Sequence, residues 1–335
     1  MLAITEITPW HYAGFVLVIL FFLALDLGVF HREARVVRFK EALGWTAVWF
    51  TLSMCFSGIV YHMRGKEEAL QYVTGYIIEL SLSMDNVFVI ALIFAYFRVP
   101  LQYQHRVLFW GIIGALLMRG VMIGVGAALI KTFAWMLYVF GAFLVFTGIK
   151  MMFGDDDGVE PEKNPVIRLA RKLYPVSKEF DGQKFVTTVD GKKMLTPLAL
   201  VLLMVETTDL IFAVDSIPAI FAITDRPFIV FTSNVFAILG LRSLYFVLAD
   251  AIGMFRYLKV GLSIVLVFIG VKMLVDPHAN PEPAWYQKDI PTNLSLIIIA
   301  GIILLSVILS MVASRSEKGK DAKEDEKKDD GAGKS

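Results

Sequence analysis

Long stretches of apolar residues, interrupted by short polar segments, occupy most of the chain. A helix needs about 20 consecutive, mostly apolar residues to cross the hydrocarbon core of a bilayer. Windows of that length recur along the sequence, and charged or Pro-rich segments separate them. The pattern therefore predicts an all-α, polytopic membrane protein. Its nine predicted spanning helices cover residues 10–30, 43–63, 72–97, 106–131, 133–153, 195–223, 227–250, 257–275 and 292–314.

Basic residues flank the predicted helices unevenly. The segment HREARVVRFK, residues 31–40, follows the first helix and holds four Lys and Arg residues. Short loops rich in Lys and Arg stay on the cytoplasmic side of a membrane. The other loops that fall on this side of a nine-helix chain are also the more basic ones. We therefore predict that the N-terminus faces outside and the C-terminus faces the cytoplasm.

Two segments of the chain are too polar to span a membrane. Residues 154–194 hold eight basic and eight acidic residues, and they begin with a linker-like run, GDDDGVEPEKNP. The pair Asp190-Gly191 within KFVTTVDGKKML predicts a two-residue β-hairpin turn. The tail, residues 315–335, is almost purely charged, and such a composition predicts a disordered segment. We interpret both segments as cytoplasmic.

The middle of the chain contains the same series of polar residues and motifs twice. Each copy has an Asp, then an Arg, and then a short motif with Gly and Lys. The first copy holds Asp85, Arg119 and FTGIKMM (146–152), and the second holds Asp215, Arg242 and FIGVKML (268–274). Predicted helices 3–5 therefore resemble predicted helices 6–8. Three spans are an odd number, so the second copy enters the membrane upside down, and we predict an inverted-topology repeat.

The repeat divides the chain into six parts. They are residues 1–71 with the first two helices, 72–153 as the first repeat, 154–194 as a cytoplasmic loop, 195–275 as the second repeat, 276–314 with an outer loop and the ninth helix, and 315–335 as the tail.

Acidic residues lie inside two of the most apolar segments, ELSLSMDNVF (79–88) and DLIFAVDSIP (209–218). One carboxylate at the centre of a spanning helix costs on the order of 3 kcal/mol. The interiors of the predicted helices in the repeats carry five such acids and only two arginines, Arg119 and Arg242. Since two arginines do not neutralise five carboxylates, a cation or protons must supply the missing charge. The acids are Glu79, Asp85, Glu206, Asp209 and Asp215.

The candidate ligands of such a cation are all oxygen atoms. Beside the five carboxylates stand the Asn86 amide, the Ser216 hydroxyl and the Thr208 hydroxyl. The histidines fall at helix ends or in loops, and Cys55 is the only cysteine. Oxygen sites suit Mg²⁺, Ca²⁺ and Mn²⁺, and the residues alone leave the choice among these ions open.

Several other residues receive supporting roles. Arg119 and Arg242 would stabilise the acids when no ion is bound. Asp26, in the first predicted helix, would either contribute to an ion path or cap the end of that helix. Pro218, together with Thr207 and Thr208, indicates a local break in the sixth predicted helix, where freed carbonyl groups could add ligands.

Composition excludes several classes of function. The chain has 335 residues, is 57% hydrophobic and only 19% charged, and carries a formal net charge of +1. A nearly neutral chain of this kind is not expected to bind nucleic acid, and one cysteine cannot form an internal disulfide. We find no phosphate-binding loop, no nucleophile–base pair and no haem or flavin motif, so we expect no enzymatic activity and no required cofactor.

Four blocks of the sequence resemble the TerC/Alx family of integral membrane proteins, which is linked to tellurite resistance and manganese homeostasis. These blocks are SLSMDNVFVIALIF, FAVDSIPAIFAIT, FTSNVFAILGLRSLYF and LVFIGVKML. The resemblance covers roughly residues 10–314 and implies nine helices, an external N-terminus and a bacterial inner membrane. The acidic motif residues of the family correspond here to Glu79, Asp85, Asn86, Asp209, Asp215 and Ser216.

The resemblance, rather than the spacing of residues, favours manganese among the oxygen-preferring ions. We therefore expect a secondary transporter that exports Mn²⁺ in exchange for protons through a carboxylate site at the membrane midplane. Two alternatives stay open: a membrane scaffold with an internal ionic core, and an exporter of an organic cation. Membrane lipid is an expected partner, and a homo-oligomer or another membrane protein is left open.

Overall fold

The computed structural model describes residues 6–25, 39–133, 135–154, 161–189, 191–248, 258–276, 287–288 and 290–332. Within these residues the chain forms ten α-helices and one β-hairpin. The helices are α1 Pro9–Leu25, α2 Phe39–Arg64, α3 Lys66–Tyr96, α4 Leu101–Thr132, α5 Met136–Phe153, α6 Pro165–Leu173, α7 Pro197–Phe221, α8 Pro227–Leu248, α9 Leu258–Val275 and α10 Thr292–Ala332. The hairpin strands are β1 Val186–Val189 and β2 Lys192–Leu195.

Eight helices in the described part of the chain are long and apolar enough to cross a membrane. They are α2 to α5, α7 to α9, and residues Thr292–Ser310 of α10. Helix α1 is equally apolar but spans only 17 described residues. The predicted continuation of that helix to residue 30, with Asp26, lies outside the described residues. The chain is thus a mostly helical, polytopic membrane protein, as predicted.

Helix α8 is the most buried of these spanning helices. It packs against α2, α3 and α4, while α7 packs against α3 and α4. The buried polar residues of α3, α4, α7 and α8 therefore face one another instead of lipid. This arrangement follows the rule that polar side chains within spanning helices point into the protein.

Helices α5 and α9 approach each other closely along glycine positions. A Cβ atom added at Gly141 would lie 3.0 Å from the carbonyl oxygen of Gly270. One added at Gly148 would lie 2.8 Å from the carbonyl oxygen of Ser263. The later glycine of α5, Gly148, contacts the earlier residue of α9, Ser263. The two helices therefore run antiparallel. Small residues allow this backbone-to-backbone packing in membranes.

The predicted hairpin is confirmed. Val189 pairs with Lys192 at its end, and Val186 pairs with Leu195. Gly191 in the turn has φ +76°, a value that glycine adopts without strain. Half of the predicted linker, residues 155–160, lies outside the described part of the chain.

Helix α6 was not predicted. Its nine residues are too few to span a membrane, and basic residues interrupt its apolar positions. The side chain of Asn164 caps its N-terminus by accepting hydrogen bonds from the backbone N–H groups of Val166 and Ile167. A cap followed by Pro165 at the first helical position is the signal that could have identified this helix.

The predicted break in the helix that carries Pro218 is wrong, because α7 is continuous from Pro197 to Phe221. Pro218 lies in the last turn, where a missing N–H group costs only one hydrogen bond of the helix. The hydroxyl groups of Thr207 and Thr208 donate to the carbonyl oxygens of Leu203 and Met204 one turn earlier. The hydroxyl groups of these threonines are therefore engaged with the backbone of their own helix.

The structure also differs from the prediction for the charged tail. Helix α10 continues through it to Ala332, although its composition predicts disorder. Residues 315–330 contain no proline and consist largely of Lys, Glu, Asp and Ala. Lys, Glu and Ala are strong helix formers, so the backbone can extend the spanning helix beyond the apolar segment.

Candidate functional site

Three charged side chains meet in the interior of the helix bundle. Glu79 lies on α3, Arg119 on α4 and Asp209 on α7, and they are 0%, 2% and 5% exposed, respectively. Arg119 Nη2 donates to Asp209 Oδ1 at 2.9 Å, and its Nε donates to Oδ2 at 3.2 Å. Arg119 Nη1 donates to Glu79 Oε1. One guanidinium thus holds both carboxylates, in a two-bond geometry at Asp209 that is among the strongest available to Arg.

Neutral polar groups complete the pairing of the two acids. Asn234 Nδ2, on α8, donates to Glu79 Oε2 at 3.0 Å. Asn86 Nδ2 donates to Asp209 Oδ1 at 2.8 Å. Every oxygen of both carboxylates therefore accepts at least one hydrogen bond. We call Glu79, Asn86, Arg119, Asp209 and Asn234 the ionic core.

Two hydroxyl groups lie at the margin of the ionic core. Ser83 Oγ donates to Glu79 Oε1 at 3.2 Å. Arg119 Nη1 also lies within hydrogen-bond distance of Ser216 Oγ, at 3.4 Å. Sequence reasoning placed neither Ser83 nor Asn234 at the site. The available signals were the position of Ser83 one turn after Glu79, and a lone amide within the apolar run of α8.

The ionic core adjoins a small cavity. Its polar lining consists of Asn86, Asp209 and Arg242, and apolar residues of α3, α4, α7 and α8 form the rest of the wall. The volume is about 20 Å³, which is room for about one water molecule. Arg242 is 7% exposed, so a second buried cation faces Asp209 across this space.

The amide of Asn86 presents an unused oxygen atom. Its Nδ2 faces Asp209, because a carboxylate accepts hydrogen bonds and does not donate them. Its Oδ1 is buried and accepts no hydrogen bond within the described part of the chain. A buried carbonyl oxygen without a donor costs on the order of 1–3 kcal/mol, and a cation or a water molecule would relieve this cost.

The remaining predicted ligands differ from these residues in burial or in their bonding partners. Asp215 bonds to Thr147 and lies near Lys150, both on α5. Asp85 is only partly buried on α3. The Thr208 hydroxyl is engaged within α7, as described above. The structure thus brings together Glu79, Asn86, Asp209 and Ser216 around Arg119, and separates Asp215 from them.

Glu206, on α7, places its carboxyl group against Gly114 of α4. A Cβ atom added at Gly114 would lie 2.0 Å from Glu206 Oε1, so a larger residue there would require the carboxyl group to move. Glu206 Oε2 is buried and has no hydrogen-bond partner among the described residues. The carboxyl group lies one helical turn from Asp209 but does not take part in the Arg119 network.

No group of three or more His, Cys, Asp or Glu residues that could hold a metal ion occurs within the described ranges. The oxygen atoms that most resemble a metal site come from both carboxylate and amide groups. They belong to the Asp209 carboxylate, the Asn86 amide and, on the other side of Arg119, the Glu79 carboxylate. This set fits the ligand preference of a hard cation. The full predicted ligand set stays a prediction: Glu79, Asp85, Asn86, Glu206, Asp209, Asp215 and Ser216.

These features define a polytopic helical membrane protein with a buried ionic core. The family described as "Integral membrane protein TerC family" matches residues 64–318. The chain belongs to this family, as its sequence blocks predicted.

Relatives from several bacteria are similar over nearly their whole lengths. An "Uncharacterized membrane protein STKORF319" from Myxococcus xanthus is 50% identical over 315 residues, which are 94% of this chain and 96% of the relative. A protein from Salmonella typhi named "Putative membrane-bound redox modulator Alx" is 43% identical over 312 residues, covering 90% of this chain and 94% of the relative. A protein of the same name from Escherichia coli K12 is also 43% identical, with the same coverage of both chains. No solved structure matches this chain.

Proposed function

We propose that the protein is a secondary transporter that exports Mn²⁺ across a bacterial inner membrane in exchange for protons. The observation that carries the proposal is the pairing of two unlike oxygen donors at one cavity. Asp209 supplies a carboxylate and Asn86 supplies a buried oxygen that accepts no hydrogen bond within the described residues. In a spanning helix bundle, such groups typically mark the path of an ion.

The size and chemistry of the cavity support an inorganic cation. A volume of about 20 Å³ admits a small ion but is too small for an organic amine. Oxygen donors favour Mg²⁺, Ca²⁺ and Mn²⁺ over zinc and copper. The choice of Mn²⁺ among these three rests on the resemblance to the TerC/Alx family.

Arg119 would control how the transporter binds and releases the metal ion. Its guanidinium pairs with both Glu79 and Asp209 while no ion is bound, and its single positive charge offsets one of the two negative charges. An entering divalent cation would compete with that guanidinium for the two carboxylates. Protons would in turn compete with the metal, because a protonated carboxyl group is a poor metal ligand. Inward movement of protons would thereby drive the metal outward.

The predicted inverted repeat would provide the conformational change that transport requires. The contacts between α5 and α9 support the presence of this repeat. In the repeat, Gly148 corresponds to Gly270, and Gly141 corresponds to Ser263. The contact between Gly141 and Gly270 is therefore the symmetry mate of the contact between Gly148 and Ser263. Rocking of one repeat against the other around such an axis would give alternating access. The proposal includes nine spans, an external N-terminus and a cytoplasmic C-terminus.

A second candidate function is a non-transporting membrane scaffold. The observation in its favour is the pairing of every oxygen of Glu79 and Asp209 with protein donors, so the ionic core is charge-stabilised without cargo. The name of the Alx relatives suggests a redox role, but a single cysteine, Cys55, cannot support dithiol exchange within one chain. We retain the scaffold as the alternative that the experiment must separate.

The test is Mn²⁺ efflux from proteoliposomes with an imposed pH gradient. We expect wild-type protein to move Mn²⁺ when the gradient is present. Asn86→Ala removes the free amide oxygen and leaves the Arg119–Asp209 pair in place. It should lower the flux on the order of 10- to 100-fold, as loss of a supporting metal contact does elsewhere.

Asn293→Ala is the matched control, because Asn293 is exposed at the start of α10. It should leave the flux unchanged. Equal fluxes from wild-type proteoliposomes and from empty liposomes would reject the transporter and favour the scaffold. Competition by Mg²⁺, Ca²⁺ and a small organic amine would identify the class of cargo.

A further inference from the structure

The segment between α5 and α7 folds into a small module on the ends of the spanning helices. Asn164 Nδ2 donates to Met204 Sδ on α7 at 3.3 Å, which ties the start of α6 to that helix. The guanidinium of Arg106, on α4, lies 5.6 Å from the ring centroid of Phe185. The module, residues 161–189 and 191–196, is therefore fixed against the bundle at one membrane surface.

Residues 175–177 form one wall of this module, and hydrogen bonds join them to strand β2 of the hairpin. The backbone N–H of Leu195 donates to the carbonyl oxygen of Pro175 at 2.9 Å, and the N–H of Ser177 donates to the Leu195 carbonyl at 2.8 Å. The side chain of Val176 packs against the apolar core of α3 and α7. The segment that leads to Lys178 is thus held in place from both sides.

A pocket of about 440 Å³ opens between this wall, α6 and the spanning helices. Its floor is apolar and its rim carries two cations. The floor contains Phe97, Val176, Pro197 and Leu200, and the rim contains Arg171 and Lys178. Since α3 ends at Tyr96 and α7 begins at Pro197, the pocket lies where spanning helices leave the hydrocarbon, at the depth of lipid headgroups.

Helix α6 presents two different exposed faces beside this pocket. Its buried Ile167 points into the protein, while Val166, Leu169 and Leu173 form an exposed apolar stripe. Arg168, Arg171 and Lys172 project on the other side of the helix. None of these three cations, nor Lys178, forms an ion pair with a residue in the described ranges. Helices with an apolar and a basic face lie in the interface of anionic membranes.

We propose that this pocket binds the headgroup of an anionic phospholipid. The phosphate would sit between Arg171 and Lys178, and the glycerol and upper acyl chains would cover the apolar floor. The apolar stripe of α6 continues the same contact into the surrounding lipid. This inference is independent of metal transport, because it concerns a different surface and a different ligand.

The pocket fits a phospholipid better than a free phosphate ion. A free anion would use the two rim cations but would leave the partly exposed side chains of Phe97 and Val176 in contact with water. A phospholipid would contact both the cations of the rim and the apolar floor, since its charged headgroup and its apolar chains lie next to each other. Basic residues near a membrane surface attract anionic lipids in this way.

The experiment is lipid binding to the detergent-purified full chain, measured by native mass spectrometry without metal. Phosphatidylglycerol and phosphatidylcholine are titrated separately. We expect phosphatidylglycerol to bind more tightly. The double variant Arg171→Gln with Lys178→Gln should weaken that binding on the order of tenfold or more. Both side chains are exposed, so the fold should persist.

Two matched variants separate the pocket from general charge. Lys192→Gln with Lys193→Gln removes two exposed charges from the hairpin and should leave binding unchanged. Arg171→Lys with Lys178→Arg keeps the charges and should retain the binding. The proposal is overturned if the hairpin variant loses as much binding as the pocket variant. It is also overturned if glycerol phosphate displaces the lipid at equal concentration, or if both lipids bind alike.

Discussion

Arg119 on α4 holds Asp209 on α7 through two hydrogen bonds, of 2.9 and 3.2 Å, while its Nη1 donates to Glu79 on α3. A single guanidinium therefore links three helices and forms ion pairs with acids from both predicted repeats. Its loss would leave two buried carboxylates without their charge partner. The ionic core is for this reason both the stabilising centre of the bundle and its candidate ion site.

Arg119→Gln should destabilise the protein strongly. Removing one partner of a buried ion pair costs about 3–5 kcal/mol, because the other charge is left buried. The free energy of unfolding in detergent, from denaturant titration, measures this effect. Arg168→Gln, at an exposed position of α6, should stay within about 0.5 kcal/mol of wild type.

A second variant checks the cause of that loss. Adding Glu79→Gln to Arg119→Gln removes one of the two stranded charges and should recover part of the stability. If Arg119→Gln were as stable as wild type, the guanidinium would not be holding the two acids.

The two aspartates of α7 should differ in importance for transport. Asp209 belongs to the ionic core, whereas Asp215 bonds to Thr147 beside Lys150. We expect Asp209→Asn to reduce Mn²⁺ flux on the order of 100-fold and Asp215→Asn by about tenfold or less. Asp225→Asn, at an exposed site between α7 and α8, is the control. Greater loss from Asp215→Asn than from Asp209→Asn would place the ion near α5 instead.

The glycine contact between α5 and α9 should not tolerate a larger residue. A Cβ atom at Gly270 would lie 2.7 Å from the carbonyl oxygen of Gly141, and backbone atoms cannot move aside cheaply. Gly270→Ala should therefore cost about 1–3 kcal/mol, measured as a lower thermal midpoint. Gly301→Ala, where nothing lies within 4 Å of the added atom, should be neutral or stabilising. Equal midpoints for the two variants would mean that α5 and α9 are not packed this closely.

Asp181, at the base of the hairpin, should titrate below its usual range. Its Oδ2 accepts hydrogen bonds from Thr187 Oγ1 at 2.7 Å and from Lys184 Nζ at 3.0 Å. These bonds, that of Thr187 foremost, lower the pKa of the Asp181 carboxyl group. Because the folded pKa lies below the unfolded one, the stabilising contribution is present above the unfolded pKa. It is lost as pH falls through the folded pKa.

Carboxyl ¹³C chemical shifts of selectively labelled protein would measure this pKa. Thr187→Val should raise the titration midpoint of Asp181 more than Lys184→Gln does. A midpoint that neither substitution moves would show that these bonds do not form in the membrane-bound protein.

Much of the fold follows from local patterns in the sequence. Apolar windows located the spanning segments within a few residues, and the pair Asp190-Gly191 located the hairpin. These features depend on neighbouring residues alone, so the sequence is sufficient for them. Helix α6 was not predicted because it is short and because one of its apolar residues is buried while three others are exposed. A search for long apolar runs does not detect such a helix.

The site was only partly predictable, because pairing between helices depends on how they rotate against each other. Charge counting identified Glu79, Asp209 and Arg119 as buried and in need of partners. It could not foresee that one guanidinium would take both acids, or that Asp215 would face Thr147. The expected break at Pro218 was wrong because the position of a proline within the last turn decides its effect.

We expect Asp209 and Asn86 to hold a metal ion next to Arg119. Anomalous scattering from crystals soaked with Mn²⁺ tests it most directly. We predict one strong peak in the ionic core, within bonding distance of the Asp209 carboxylate and Asn86 Oδ1, with the guanidinium of Arg119 moved away from Asp209. Peaks confined to surface carboxylates at saturating Mn²⁺, with the Arg119–Asp209 pair intact, would show that the ionic core does not bind the metal.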